Sequence, residues 1–220
     1  MKRTSRLAAG VSVALALVGC GADGGSTRSA QAGGNDGAGG GSAAADGATS
    51  DALAADLQFL REEEKLARDV YATLYERWHL RPHQNIASSE QTHTSRVKDV
   101  LVSLGVPDPV KDDAVGVFVN PDLRKLYGDL VARGLQSEVA ALEVGATIED
   151  LDIRDIERMK ARTTNPAVLS MYESLECGSR NHLRAYTSQL AARGTTYAPQ
   201  YIGAAELATI RAASNERCGR

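Results

Sequence analysis

Apolar residues return every three or four positions through four long stretches of this chain and nowhere alternate strictly with polar ones, so its folded part must be built from amphipathic helices. The first stretch, about Asp51 to Trp78, carries the stripe Leu57, Leu60, Glu64, Ala67, Tyr71, Leu74 and Trp78. After a break at Arg81-Pro82-His83, the second runs roughly from Ile86 to Leu104, with Ile86, Glu90, His93, Val97, Leu101 and Leu104 on one face, and Gly105, Pro107 and Pro109 end it. The third has Leu135, Val139, Leu142, Ala146, Glu149, Ile153 and Ile156 in register. The fourth opens at Asn165-Pro166, a cap followed by a first-turn proline, and carries Val168, Tyr172, Leu175, Ser179, His182 and Tyr186 towards Gly194. Residues 106–120 connect the second helix to a shorter one opened by Pro121 and closed at Gly134. Beyond a turn at Thr195 to Pro199, Ala204 to Ala213 suit a short terminal helix. The expected fold is all-α: a four-helix bundle with a short extra helix in the central crossover and a short C-terminal helix, over residues 51–220.

Each long helix breaks its own apolar stripe with polar residues: Glu64, then Glu90 with His93, then Glu149, then His182 with Ser179. A buried carboxylate without a partner costs several kcal/mol, and a domain has only about 5–15 kcal/mol of stability, so something must neutralise these groups. Glu90 and His93, three residues apart, project from one helical face and can hold one ion between them. Carboxylates mixed with imidazoles suit iron or manganese. Salt bridges to Arg68, Arg180 or Arg184 are the alternative compensation. The same stripes place Tyr71, Tyr172 and Tyr186 inward, each expected either to sit in the core with its hydroxyl bonded to a buried carboxylate or, if iron is present, to support the metal or form a radical. Glu62 and Glu63 read as exposed or salt-bridged, with Glu63 the substitute ligand if the register shifts by one. His79 and His83, at a helix end among polar residues, read as surface positions.

The N-terminus has the organisation of an export signal. Lys2, Arg3 and Arg6 precede an apolar run from Leu7 to Val18 that is too short to remain as a membrane span. Leu17-Val18-Gly19-Cys20 resembles a bacterial lipobox, in which cleavage after residue 19 leaves Cys20 lipidated at the new N-terminus. Residues 20–50, with hardly an apolar side chain larger than Ala, are expected to form a tether spanning about 30 Å. The expected location is the cell envelope or periplasm, with the membrane a partner through the lipid on Cys20. Loss of the leader takes the net charge from −3 to about −6 and leaves no basic block to bind nucleic acid. Cys177 and Cys218 then remain, either joined in a disulfide or as two buried thiols.

The blocks REEEKLARDVY (61–71), NIASSEQTH (85–93), ALEVGATIEDLDIRDI (141–156), GSRNHLRAY (178–186) and YAPQY (197–201) resemble an uncharacterised bacterial domain family of the ferritin-like superfamily. The resemblance covers about residues 53–212 and implies a bundle holding a di-iron or di-manganese carboxylate centre. On that pattern Glu64 is similar to the first-helix ligand, with Tyr71 seven residues on as the tyrosine beside the site. Glu90 and His93 match the second-helix Glu-x-x-His, Glu149 the third-helix carboxylate, and His182 the fourth-helix imidazole. The chain departs from the pattern at Ser179, where a bridging Glu would stand. Asp152, sharing a face with Glu149, or Glu176 would replace it; a solvated or capping role is the other reading of Asp152. The resemblance implies Fe(II) oxidation or reaction with oxygen or peroxide, an oxidase or ferroxidase type of activity, and leaves homo-oligomerisation open. Metal storage and a non-enzymatic envelope lipoprotein with a structural polar network and a protein-binding surface are the competing expectations. No Ser-His-Asp spacing, phosphate-cradling Gly loop or Cys-x-x-Cys pair supports hydrolase, nucleotide or dithiol chemistry.

Overall fold

The computed structural model describes residues 43–219, with side chains from residue 51 onward. The leader, the lipobox with Cys20 and most of the expected tether lie outside the described residues. Six helices follow in order: α1 (Ala43–Trp78), α2 (Arg81–Ser103), α3 (Pro121–Gly134), α4 (Glu138–Lys160), α5 (Pro166–Ala192) and α6 (Ala204–Ala212). No strand occurs among the described residues, and none of their helices is long and apolar enough to cross a membrane.

Helix boundaries follow local chemistry. Asn120 and Asn165 each accept hydrogen bonds from two backbone N–H groups of the first turn, with Pro121 and Pro166 behind them, and so open α3 and α5 where the sequence indicated. Ser137 caps α4 by accepting from Ala140 N at 3.0 Å. Leu135 therefore lies outside that helix and is 42% exposed rather than part of its core stripe; Leu104, past the end of α2, is also exposed. α1 starts at Ala43, inside the expected tether, where an Ala-rich run favours helix. Arg81-Pro82-His83 is not a break. It forms the first turn of α2, with Pro82 at a position that needs no N–H donor, and the reversal is made by His79 in a left-handed conformation (φ 52°) and Leu80.

α1 pairs with α2 and α4 with α5; the pairs meet through α2–α5 and α1–α4 contacts, while α3 bridges α1 and α4 and α6 rests on α5. The apolar core falls into two clusters. One contains Leu57, Leu60, Val97, Leu101, Ile156, Val168 and Leu175; the other contains Leu66, Val70, Leu74, Ile86, Leu142, Ile148 and Leu183. Between them lies a layer of buried polar side chains from α1, α2, α4 and α5, which contains the candidate site.

The 106–120 connection covers the outer face of α1, so that helix is buried on every side from Leu60 to Ala67. Its polar residues bind the connection. Glu62 accepts from the Val119 and Asn120 N–H groups at 2.5 and 3.0 Å. Lys65 donates to Asp69 Oδ2 and to Ala114 O, and its ammonium lies 4.5 Å from the Phe118 ring centroid. Arg61 bonds Thr94 and pairs with Asp108. Glu62 is thus buried, not exposed, because a segment more than fifty residues away covers the face that local periodicity assigns to solvent; Glu63 is buried as well, beside Asp155 and Arg154 of α4. At the other end, buried Asp150 accepts from Tyr197 Oη and from the backbone N–H groups of Gln200, Tyr201 and Ile202, which fixes the YAPQY turn. Cys177 and Cys218 are joined, Cα to Cα 5.5 Å, and strap the tail to α5. Glu216 beside them bonds Arg180 and Arg184, which hold its carboxyl down at about 2.

Candidate metal centre

Two overlapping sets of ligand atoms meet in the polar layer. Glu64, Glu90 and His93 each bring one donor atom within 4.8 Å of the others, and so do Glu90, Glu149 and His182. Glu90 belongs to both sets. Its Oε2 lies 2.8 Å from His93 Nδ1 and its Oε1 2.8 Å from His182 Nδ1, one oxygen to each lobe. Glu64 Oε2 closes the first lobe at 3.3 Å from His93 Nδ1, and Glu149 Oε2 the second at 3.4 Å from His182 Nδ1. The two imidazoles are stacked with centroids 5.6 Å apart.

His93 Nδ1 and Glu64 Oε2 share a hydrogen bond; the other three short contacts lack hydrogen-bond direction. Both Glu90 oxygens, Glu64 Oε1, Glu149 Oε2 and His182 Nδ1 are buried without a hydrogen-bond partner. Buried polar atoms of native proteins are nearly always satisfied, so a group of orphans that converge without bonding one another marks a place for a cation. The surrounding groups hold the ligands in orientation, as outer partners do at metal sites. Tyr71 Oη donates to Glu149 Oε1 at 2.6 Å, leaving Oε2 for the site. Ser89 Oγ lies 3.1 Å from His182 Nε2, leaving Nδ1 turned inward. Gly178 makes room for His93: a Cβ there would stand 2.6 Å from the ring's Cε1 and Nε2.

The electrostatics of the metal-free site follow from burial and from these pairings. Burial opposes charge on His182, yet Glu149 and Glu90 outweigh it and raise its pKa to about 10. His93 is likewise pushed well up, against burial, by Glu90 and Glu64. Glu90, between two imidazoliums, is held below the usual carboxylate range in spite of its burial. Glu64 is raised to about 8, chiefly by burial, and burial raises Glu149 also. Protons therefore occupy the place of cationic charge, and the carboxylate and imidazole donors could hold a metal cation once those protons leave.

Other residues named from the sequence fall differently. Asp152 is fully buried, neither solvated nor capping. Neither of its oxygens has a partner and it belongs to neither ligand set; burial and then the Glu63 charge push its pKa well up. Glu63 is also buried and unpartnered. Glu176 points away, bonded to Lys160 at 2.6 Å and Arg180 at 2.8 Å. Ser179 donates to Leu175 O, so no carboxylate stands at that position. Tyr172 is buried in the other apolar cluster and its hydroxyl has no partner, against the expectation that it bonds a carboxylate.

His83 is the largest departure, fully buried instead of at the surface. Its Nδ1 lies 3.0 Å from Tyr186 Oη and its ring stacks on Tyr71. The signal was present: the second-helix stripe continued back one turn from Ile86 reaches residue 83. Gly145 and Gly178 carried no sequence signal, since each is needed only because a ring from another helix occupies the space of its absent Cβ.

An all-helical domain with buried acidic and imidazole groups that could hold a metal is the class these observations define. Residues 54–214 match the family described as an uncharacterized protein domain, DUF2202, and the chain belongs to that family. It is similar to the uncharacterized protein MJ0754 of the archaeon Methanocaldococcus jannaschii, 53% identical over 158 residues that cover 72% of this chain and 85% of the archaeal protein. The crystal structure of that hypothetical protein superposes with a TM-score of 0.73 at 52% identity, covering 74% of this chain and 93% of the archaeal one.

Proposed function

We propose that this protein is a ferritin-like four-helix bundle, formed by α1, α2, α4 and α5, that binds iron or manganese in a two-lobed centre and reacts it with oxygen or peroxide. The carrying observation is Glu90, a fully buried carboxylate whose two unpartnered oxygens each face a different imidazole. Glu64 and His93 would complete one lobe and Glu149 and His182 the other, with Asp152, buried and unpartnered on α4, a further carboxylate that could be recruited. Bound iron would supply one-electron redox chemistry towards oxygen or peroxide. The chain's own part is to hold donors in place and keep water out: Tyr71 and Ser89 orient Glu149 and His182, while the apolar clusters above and below seal the layer. His182, with 12% of its side chain accessible, is the most open ligand and marks the side of entry.

One observation favours a second reading, a structural network without metal. The two imidazoliums already neutralise much of the carboxylate charge. Reconstitution of the full-length protein with Fe(II) or Mn(II), followed by metal analysis, separates the two: retained metal supports the centre, and none supports the network. Anaerobic Fe(II) loading followed by air then distinguishes oxidation from storage, since only an oxidase exceeds the buffer rate. We further propose that residues 1–19 are an export signal and that a lipid on Cys20 tethers the protein to the envelope membrane. Membrane fractionation of Cys20→Ser tests this, and a variant as membrane-bound as the wild type would refute it.

A further inference from the structure

From Glu149, away from the two lobes, a line of buried rings leads to the start of α2. Tyr71 Oη bonds Glu149 Oε1 at 2.6 Å; the Tyr71 and Tyr186 centroids are 5.5 Å apart; Tyr186 Oη lies 3.0 Å from His83 Nδ1. The Tyr71 and His83 rings stack at 5.9 Å with an interplanar angle of 14°. Tyr186 is held tightly, since a Cβ at Gly145 would stand 2.4 Å from its Cε1 and Cζ. His83 and Tyr186 are both fully buried and face each other, and His83 Nε2 has no partner.

We propose that Tyr186 and His83 form a redox relay for the neighbouring centre, with Tyr186 giving up one electron and its phenolic proton passing to His83 Nδ1. This rests on the reading that the centre holds iron, with peroxide as the oxidant. The Tyr186 O–H bond breaks, the electron passes by way of Tyr71 to the oxidised centre, and a new N–H bond forms on His83. Return of an electron from an external one-electron donor reverses both transfers.

Proton placement selects Tyr186 among the buried tyrosines. The Tyr71 hydroxyl proton is directed at Glu149, and its transfer would neutralise a carboxylate that the centre uses. Tyr172 has no acceptor at all. At Tyr186, donation of the hydroxyl to Nδ1 leaves one unsatisfied donor, the N–H on the partnerless His83 Nε2. The opposite tautomer leaves both the hydroxyl proton and the Nε2 lone pair unmatched, so the first arrangement costs less. Burial pulls the His83 pKa down to about 4, so at neutral pH its ring is uncharged and able to accept.

The test uses the full-length protein loaded anaerobically with Fe(II), assayed for iron, mixed with hydrogen peroxide and freeze-quenched for EPR. Wild type should give a tyrosyl spectrum that Tyr186→Phe abolishes and Tyr172→Phe leaves unchanged. His83→Phe should lower its yield about tenfold, equivalent to about 1.4 kcal/mol. In metal-free protein, 15N NMR should show His83 Nδ1 unprotonated and shifted by Tyr186→Phe. A tyrosyl signal that persists in Tyr186→Phe, an iron-loaded wild type without one, or a protonated Nδ1 overturns the relay alone. A wild type that retains no iron overturns the metal reading and the relay together.

Discussion

Glu90 carries more of the site than any other residue, because both lobes depend on it. Glu90→Ala should abolish retention of metal in both, whereas Glu64→Ala should impair one; metal analysis after reconstitution reads the difference. Gly178→Ala should displace the His93 ring and lower metal affinity by about 10–100-fold, the usual cost of disturbing what orients a ligand, with helicity by circular dichroism retained. The buried acidic and imidazole cluster was legible in the sequence because Glu64, Glu90, His93, Glu149 and His182 interrupt apolar stripes at helical spacing. Gly145, Gly178 and the Tyr186–His83 pair were not, since each depends on which ring from another helix lies opposite.

At the scale of elements, the ends of α3 and α5 were legible from Asn-Pro pairs that supply acceptor and φ together. At the start of α2 the same proline chemistry serves both a break and a first turn, so the sequence alone leaves His83 at a helix end where the structure buries it. The burial of Glu62 could not be read locally, since its partners are the N–H groups of Val119 and Asn120. Glu62→Ala should destabilise the protein by about 1–3 kcal/mol, measured by urea denaturation, through loss of those acceptors beneath the connection. Cys218→Ser opens a loop of 41 residues and should cost about 2–4 kcal/mol, with faster hydrogen exchange along the C-terminal strap.

Across the whole molecule, two apolar clusters flank a layer whose charges are balanced by protons when metal is absent, so stability must depend on pH. Glu64 and His182 have folded pKa values raised from 4.5 to about 8 and from 6.5 to about 10. Their contributions are complete below the unfolded values and are lost as pH rises through the folded ones. The melting temperature of metal-free protein should therefore fall between about pH 7 and pH 10, while His83, lowered to about 4, withdraws its contribution at the acid end. Metal displaces the same protons, so the stabilisation it gives by calorimetry should grow as pH rises. The most direct test is metal analysis of full-length wild type and Glu90→Ala after reconstitution with Fe(II) or Mn(II) at neutral pH. Metal held by the wild type and absent from the variant is the predicted result; a wild type that retains none, or a Glu90→Ala protein that retains as much, contradicts the account.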